Sequence, residues 1–432
     1  MYRVSYDGFT YETDDPVFAE SIPRGQSEPY PRDLVIVKQY LRAYPNRCRT
    51  YVDVGAHIGT TIAPYSRLFE STIGFEANPK TLEFLHANLR ENNIQCRVEK
   101  VGLYDHNCRA DILLHGSNSG CYYIQENETG SIECRTLDSY DLQDVDFIKL
   151  DIEGAELAAL KGAEQTLRRC KPLIQFESNG MSERLYGVSY AETLEYLERL
   201  GYRIYADAGT NLFFYVPRME PYRIVCYWGK NPMTENRIAS LKEMGKTTEC
   251  EIVLLTFDTL QDYLVPAHPL HPAFQFLSDV HQSDYVRTYM MHHHGGGYSD
   301  VKRHTGSWKA SFDALANSDA YIMGYPEIGP SGVAYPPVQD KWDFLIGNCS
   351  YIAKPGTPLT HEWYASMISL LSFKLDALQA HPASHPRDRA EDGSGYPIEW
   401  NEMLGRIFHR VSYAHRDHIL RSLPAIVMQN YM

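Results

Sequence analysis

Between residues 50 and 217 the chain alternates short apolar runs with stretches whose apolar positions recur every three or four residues. The runs at 51–54, 72–77, 96–103, 147–152, 173–178, 202–206 and 212–216 predict strands. Between them lie amphipathic helices. One starts at the Asn78-Pro79 cap and buries Leu82, Leu85 and Leu89. Another runs from about Ser189 through Leu194, Leu197 and Leu200 and stops at Gly201. Strands alternating with helices predict a mainly parallel sheet. Only Asp207-Ala208-Gly209-Thr210-Asn211 separates the last two runs, so an antiparallel hairpin closes it. Near 217–221 the pattern restarts, with strands predicted at 223–228 and 251–257. Two α/β domains follow, at 1–218 and 219–432. Residues 1–45 form an N-terminal extension that covers the first domain, and 381–395 form a loop rich in His, Pro, Asp and Gly.

The run at 147–152 is interrupted by Lys149 and Asp151, which are two residues apart and so share one face of a strand. Glu153 and Glu156 follow, and Gly154 opens a helical pattern. Four ionisable groups thus crowd the carboxyl end of a strand that feeds a helix, where open α/β sheets bind ligands. Unpaired buried carboxylates cost several kcal/mol, so a site is the better reading; a solvated, salt-bridged strand end is the plainer one. A Rossmann-like sheet of six or seven strands ending in a hairpin describes a class I methyltransferase better than a dehydrogenase, although fold alone does not fix function.

Charge narrows the partners. The chain has 432 residues with 41 basic and 55 acidic side chains, a formal charge of −14, which argues against a general nucleic-acid or anionic-membrane binder. The nine cysteines are scattered, odd in number and never in Cys-x-x-Cys spacing, which fits free thiols in a reducing compartment. The first residues lack the apolar core of a signal peptide, and no stretch is long and apolar enough to span a bilayer. A cytoplasmic protein is expected, and homo-oligomerisation is compatible with the sequence.

Asp53-Val54-Gly55-Ala56-His57-Ile58-Gly59 follows the first strand, and its glycines allow close backbone approach to a ligand. Glu76 ends the second strand, where an acid can accept hydrogen bonds from ribose hydroxyls. A nicotinamide cofactor would prefer Gly-x-Gly-x-x-Gly, and only Gly55 and Gly59 are present.

These segments, with Gly74-Phe75-Glu76-Ala77-Asn78-Pro79, Arg135-Thr136-Leu137-Asp138 and Ile148-Lys149-Leu150-Asp151-Ile152-Glu153-Gly154-Ala155-Glu156, resemble the FkbM family of methyltransferases over residues 50–180. His57 stands where the family more often has Asn. The resemblance implies S-adenosylmethionine-dependent O-methylation, often of sugar hydroxyls. Asp53, Gly55, His57, Gly59, Glu76, Asn78 and Asp105 are assigned to the methyl donor. Methyl transfer needs positioning and a base for the hydroxyl proton. Asp151 is the expected base, tuned by Lys149, with Glu153 and Glu177 on neighbouring sugar hydroxyls. Asp151 and Glu177 could instead share a divalent ion, and His57 is a further candidate base. Asn118-Ser119-Gly120 is placed beside the substrate, or is an ordinary turn.

In the second half, Ser283 is read as a helix cap with Asp284 in the first turn. The helix exits at His294-Gly295-Gly296-Gly297, and Tyr298-Ser299-Asp300-Val301-Lys302 follows. Consecutive helical residues point about 100° apart, so His292, His293 and His294 are read as a solvated helix end. Asp284-x-x-Arg287 with Gly296-Gly297-Tyr298-Ser299-Asp300 resembles the DXD-containing sugar transferases and capsular-polysaccharide-synthesis proteins, over about 222–432. Ile346-Gly347-Asn348, Ala353-Lys354-Pro355-Gly356 and Trp400-Asn401-Glu402 fit the same group. That likeness implies a GT-A-like fold and a nucleotide-sugar donor. Asp300 would be catalytic and a candidate ligand for Mn or Mg. Asp284, Arg287 and Lys302 would lie on the donor and Glu402 on an oligosaccharide or glycan acceptor. The alternative for Asp284 and Arg287 is an intrahelical ion pair. Lys302 stands where the pattern has a second Asp, which implies either a metal-independent variant or altered activity. The sequence therefore predicts a bifunctional glycan-modifying enzyme; the alternative is a sugar O-methyltransferase whose second domain only binds glycan.

Overall fold

The computed structural model describes residues 1–27 and 29–428, so the last four residues of the second half lie outside the described chain. The chain forms two compact units, Met1–Val216 with Val265–Ala267, and Pro217–Leu264 with His268–Met432.

In the first unit, a hairpin of β1 (Tyr2–Tyr6) and β2 (Phe9–Thr13) precedes β3 (Thr50–Val54), β4 (Ser71–Phe75) and β5 (Arg97–Glu99). The short strands β6 (Gly102–Leu103), β7 (Cys108–Leu114), β8 (Tyr122–Glu126) and β9 (Ile132–Arg135) come next. Then follow β10 (Val145–Leu150), β11 (Leu173–Glu177), β12 (Arg203–Ala208) and β13 (Asn211–Tyr215). The main sheet has the order β12-β13-β11-β10-β3-β4-β5. Neighbours are parallel except β13, which runs antiparallel to β11 and β12. The central strands read as near-continuous apolar runs because both faces are covered; all six residues of β10 are buried. Pro79–Glu91 is a helix capped by Asn78, whose side chain accepts from the Lys80 amide, and it buries Leu82, Leu85 and Leu89. Tyr190–Arg199 begins with a reciprocal Ser189–Glu192 capping box.

Two local expectations are corrected here. The run at 96–103 is not one strand. Its first part is β5, the edge of the main sheet, and its last part joins a second sheet of order β6-β9-β7-β8. An edge strand is held on one side only, so the chain can leave it after Glu99. The helix after Gly154 begins only at Glu156, because Gly154 itself sits at φ +105°.

The second unit holds β14 (Arg223–Tyr227), β15 (Glu251–Leu255), β16 (Gly296–Ser299), β17 (Ile322–Pro326), β18 (Ile346–Ala353) and β19 (Ile419–Leu420). They form a mixed sheet of order β15-β14-β16-β18-β17-β19. A helix at Asp279–His293 packs its Tyr285, Tyr289 and Met290 into a core with Trp363 and Phe408. It starts earlier than its sequence suggests. Ser278, not Ser283, is the cap and accepts from the His281 amide. Ser278-Asp279 offers the same chemistry as Ser283-Asp284 five residues sooner, and Ser283 is left to bond the Tyr298 hydroxyl at 2.9 Å. The histidine run is corrected too: His292, His293 and His294 are buried. Their rings pack against Tyr289 and Tyr364, and His294 Nε2 lies 2.7 Å from the Tyr263 carbonyl. Among the described residues no helix is long and apolar enough to cross a membrane.

Candidate functional site

A cavity of about 380 Å³ opens where β3, β4, β10 and β11 end, within the ~300–1,000 Å³ range of small-molecule sites. Its floor is the turn after β3. Gly55 sits at φ +85°, and a Cβ there would lie 2.0 Å from the Asp151 carbonyl oxygen, so only glycine lets the exits of β3 and β10 touch. His57 follows at φ +47°. The Glu76 carboxylate at the end of β4 accepts the His57 and Asn78 amides, each at 2.8 Å. Burial pushes its carboxyl up to about 7 against those two donors. Each of its oxygens spends one acceptor site on the loop, which leaves further lone pairs on a group that lines the cavity.

The acidic wall comes from β10 and β11. Lys149 Nζ lies 3.0 Å from Asp151 Oδ2 and 4.0 Å from Asp53 Oδ1. Burial alone would raise the Asp151 carboxyl; the charge and hydrogen bond of Lys149, with help from Glu177, hold it below the usual range. Glu153 sits at φ +54° and is raised by burial despite His115, whose Nε2 lies 3.0 Å from its carboxylate. Glu177 accepts from Asn179 at 2.8 Å. Donor atoms of Asp151, Glu153 and Glu177 lie within 4.8 Å of one another. That set could hold a divalent cation only with the Lys149 ammonium beside it.

The adjoining wall is the β7–β8 loop together with the N-terminal extension. Ser119 Oγ lies 3.0 Å from His57 Nε2, and the Ser119 amide donates to Asp15. The Phe18 ring lies 4.6 Å from that of His57. Burial lowers His57 to about 4, so it is neutral at physiological pH and serves as a hydrogen-bonding group.

The cavity thus gathers Gly55, His57, Glu76, Asn78, Asn118, Ser119, Lys149, Asp151, Glu153 and Glu177. Asp53 and Gly59 lie beneath it instead. Asp53 is buried and accepts from the Thr61 hydroxyl, and Gly59 packs toward Leu85. Asp105 is not brought there; it bonds His106 at 2.6 Å outside the cavity. Glu156 turns away from the cavity and accepts the Ile152 and Gly154 amides, clasping the turn that carries Glu153. Sequence reasoning did not single out Asp15, Phe18 or His115. Asp15-Pro16 signals a helix start, and nothing in its spacing tells which distant loop it touches.

The second unit has a cavity of about 630 Å³. Asp284, Arg287, Asp300 and Lys302 converge on it, with Asn348, Trp400 and Asn401. Arg287 Nη2 is 3.0 Å from Asp300 Oδ1 and 3.3 Å from Asp284 Oδ1. Lys302 Nζ is 3.4 Å from Asp300 Oδ2. Burial would raise Asp300, but Arg287 and Lys302 hold it below the usual carboxylate range. Burial dominates at Asp284 and pushes it up to about 7. The Asp284–Arg287 ion pair read as the plainer alternative is present, and it also faces the cavity. Glu402 is not brought there: Lys374 takes its carboxylate at 2.6 Å. A divalent ion at Asp300 does not fit this arrangement, since it would sit against the positive charges of both Arg287 and Lys302. Among the described residues, every group of three His, Cys, Asp or Glu side chains close enough to share an ion lies in the first unit.

An α/β sheet closed by an antiparallel hairpin, with a glycine turn, an acid at the next strand end and an acidic wall, defines a methyltransferase-like domain. Residues 53–204 match the family model of the Methyltransferase FkbM domain, so the first unit carries a domain of that type. Among solved structures, the FkbM methyltransferase of Methylobacillus flagellatus KT is 22% identical, with 39% of this chain and 44% of that one aligned at a TM-score of 0.29. The chain therefore spans less than half the length of that protein. M. jannaschii TYW2 in complex with AdoMet is 16% identical over 49% of this chain and 82% of its own, TM-score 0.25. Magnesium protoporphyrin IX methyltransferase of Synechocystis PCC 6803 with bound SAM is 13% identical over 48% and 86%, TM-score 0.29. No curated protein matches the chain.

Proposed function

We propose that the first unit methylates a hydroxyl of a sugar using S-adenosylmethionine, and that the second unit takes a nucleotide sugar and transfers its sugar to a glycan. S-adenosylmethionine supplies an electrophilic methyl group when bound. The residues present suit it: Glu76 for the ribose hydroxyls, the Gly55 turn for close backbone approach, and Asn78 at the adjoining helix start. The observation that carries the reading is Asp151, an ionised carboxylate held by Lys149 on the cavity wall beside Glu153 and Glu177. Asp151 takes the proton of the hydroxyl as it becomes a nucleophile. Glu153 and Glu177 accept hydrogen bonds from neighbouring hydroxyls, which favours a polyol over an apolar acceptor such as a lipid.

For the second unit, the support is the cavity around Asp300 and the likeness of its motifs to DXD-type sugar transferases with a GT-A-like fold. One observation favours the alternative that this unit binds glycan without turning it over: Asp300 is fully ion-paired.

The test is incubation of the full chain with labelled S-adenosylmethionine and a panel of oligosaccharides and apolar alcohols, read by mass spectrometry for a gain of one methyl. Absence of donor uptake in calorimetry, or a gain only on apolar acceptors, would refute the first half. Sugar nucleotides added to the same panel separate transfer from binding alone.

A further inference from the structure

We propose that the second unit's cavity binds a nucleoside diphosphate without a divalent cation, its phosphate charge being met by Arg287 and Lys302. This rests on the nucleotide-sugar reading above and goes beyond it by removing the metal.

Three independent observations lead there. The first is the state of Asp300. The charge that would attract a metal ion is already matched twice over, since Oδ1 faces Arg287 at 3.0 Å and Oδ2 faces Lys302 at 3.4 Å. A doubly charged ion would sit against two fixed positive charges. Asp284 gives no substitute, because Arg287 already pairs with it and burial favours its neutral form.

The second is the placement of the cations. Lys302 follows Asp300 by two residues across a bend at Val301, and its ammonium comes back to the Asp300 carboxylate at 3.4 Å. Its ammonium lies 3.2 Å from Cys349 Sγ and lines the cavity. Arg287 reaches the same carboxylate from the helix, with its guanidinium anchored on the Asn348 carbonyl at 2.9 Å. Arg237 and Arg387 line the cavity as well, so its wall carries four cations beside the carboxylates of Asp279, Asp284 and Asp300. Buried ion pairs are weak contributors to stability compared with apolar packing. Two cations sharing one carboxylate in a cavity wall are better explained by an anion that they receive together, and a guanidinium beside an ammonium suits adjacent phosphates.

The third is the rest of the cavity. Tyr227, Trp228 and Trp400 line it and supply ring faces on which a base can stack. Its volume of about 630 Å³ lies in the ~300–1,000 Å³ range of small-molecule sites.

The experiment titrates the full chain with UDP, GDP, CDP and ADP, once in EDTA and once with Mn²⁺, by calorimetry. At least one nucleotide is expected to bind with a dissociation constant that differs less than about threefold between the two buffers. Lys302→Met should weaken it about 10- to 100-fold in both, as expected for loss of one charge-assisted contact. Lys302→Arg, which keeps the charge, should recover most of the affinity, with thermal melting confirming that both variants fold. Lys302→Asp should bind only with Mn²⁺, because it supplies a second carboxylate and removes a cation. Binding of wild-type protein that disappears in EDTA overturns this proposal and leaves the nucleotide-sugar reading standing. Unchanged affinity in a folded Lys302→Met variant overturns the role of Lys302. No binding of any of the four in either buffer overturns both readings together.

Discussion

Asp151 owes its character to the residue two positions before it. On β10 and just past it, Lys149 and Asp151 project to the same side, and the ammonium sits 3.0 Å from the carboxylate. A buried carboxyl with no such partner would be protonated more easily; with it, Asp151 stays ionised across the neutral range. Asp151→Asn removes the proton acceptor, so methyl transfer should fall by about 10²- to 10⁴-fold while donor affinity, measured by calorimetry, is unchanged. Lys149→Met removes the lowering charge. The Asp151 pKa should then rise, and the acid limb of the kcat/KM profile should move to higher pH; an unmoved limb would assign it to another group. Glu76→Ala should act on the other substrate. It deletes the acid expected at the ribose and the partner of two loop amides, so donor affinity should drop about 10-fold or more, as read by calorimetry. The Lys149–Asp151 pair was legible in the sequence because strand periodicity alone places i and i+2 together. His115 and Asp15 were not, since each acts on a cavity residue, Glu153 and Ser119 respectively, from a separate element that only tertiary folding brings near.

At the scale of elements, the legible parts are those whose local rule agrees with their burial. The run at β10 is apolar because both sheet faces are covered. The Asn78-Pro79 start and the Ser189–Glu192 box are caps written in four residues. Where two local signals compete, the sequence is silent. Ser278 and Ser283 are equivalent as caps; the helix uses Ser278, and Ser283 bonds the Tyr298 hydroxyl from within it. The three histidines look polar, yet the helix that carries His292 and His293 and leads into His294 is buried on nearly every side, which its polar composition conceals. The β6–β9 sheet was missed because β7 and β8 are mostly half-exposed and alternate weakly. The turn after β3 is the element on which the donor site depends most. Gly55→Ala would force an L side chain to φ +85° and 2.0 Å from the Asp151 carbonyl. Backbone strain of this kind costs about 1–3 kcal/mol, and the clash adds to it. The variant should therefore lose stability in urea titration and lose donor binding together; retention of both would mean that the turn can open without cost.

For the molecule as a whole, the excess of 55 acidic over 41 basic side chains makes carboxylate pairing the main route by which acid acts on it. A heavily paired carboxylate is Asp146, near the start of β10. It is buried and accepts from Arg47 at 2.7 Å and from Arg49 through the amide and two guanidinium nitrogens at 2.9–3.0 Å. Burial opposes its charge, but these bonds outweigh burial and hold its pKa below the ordinary value. A depressed folded pKa has one sign in linkage: the stabilisation is fully present above the unfolded value of about 3.9 and is lost as pH falls through the lower folded value. Asp146→Asn removes the charge and leaves the nearly buried Arg47 without its counter-ion. The cost at pH 7 should be about 3 kcal/mol or more, as for breaking other buried pairs. Urea titrations of wild type and variant should differ by that amount at pH 7 and converge as pH drops below about 3.9, because protonation then does to the wild type what the substitution did to the variant. A gap that persists undiminished into acid would place the cost in packing and not in the charge.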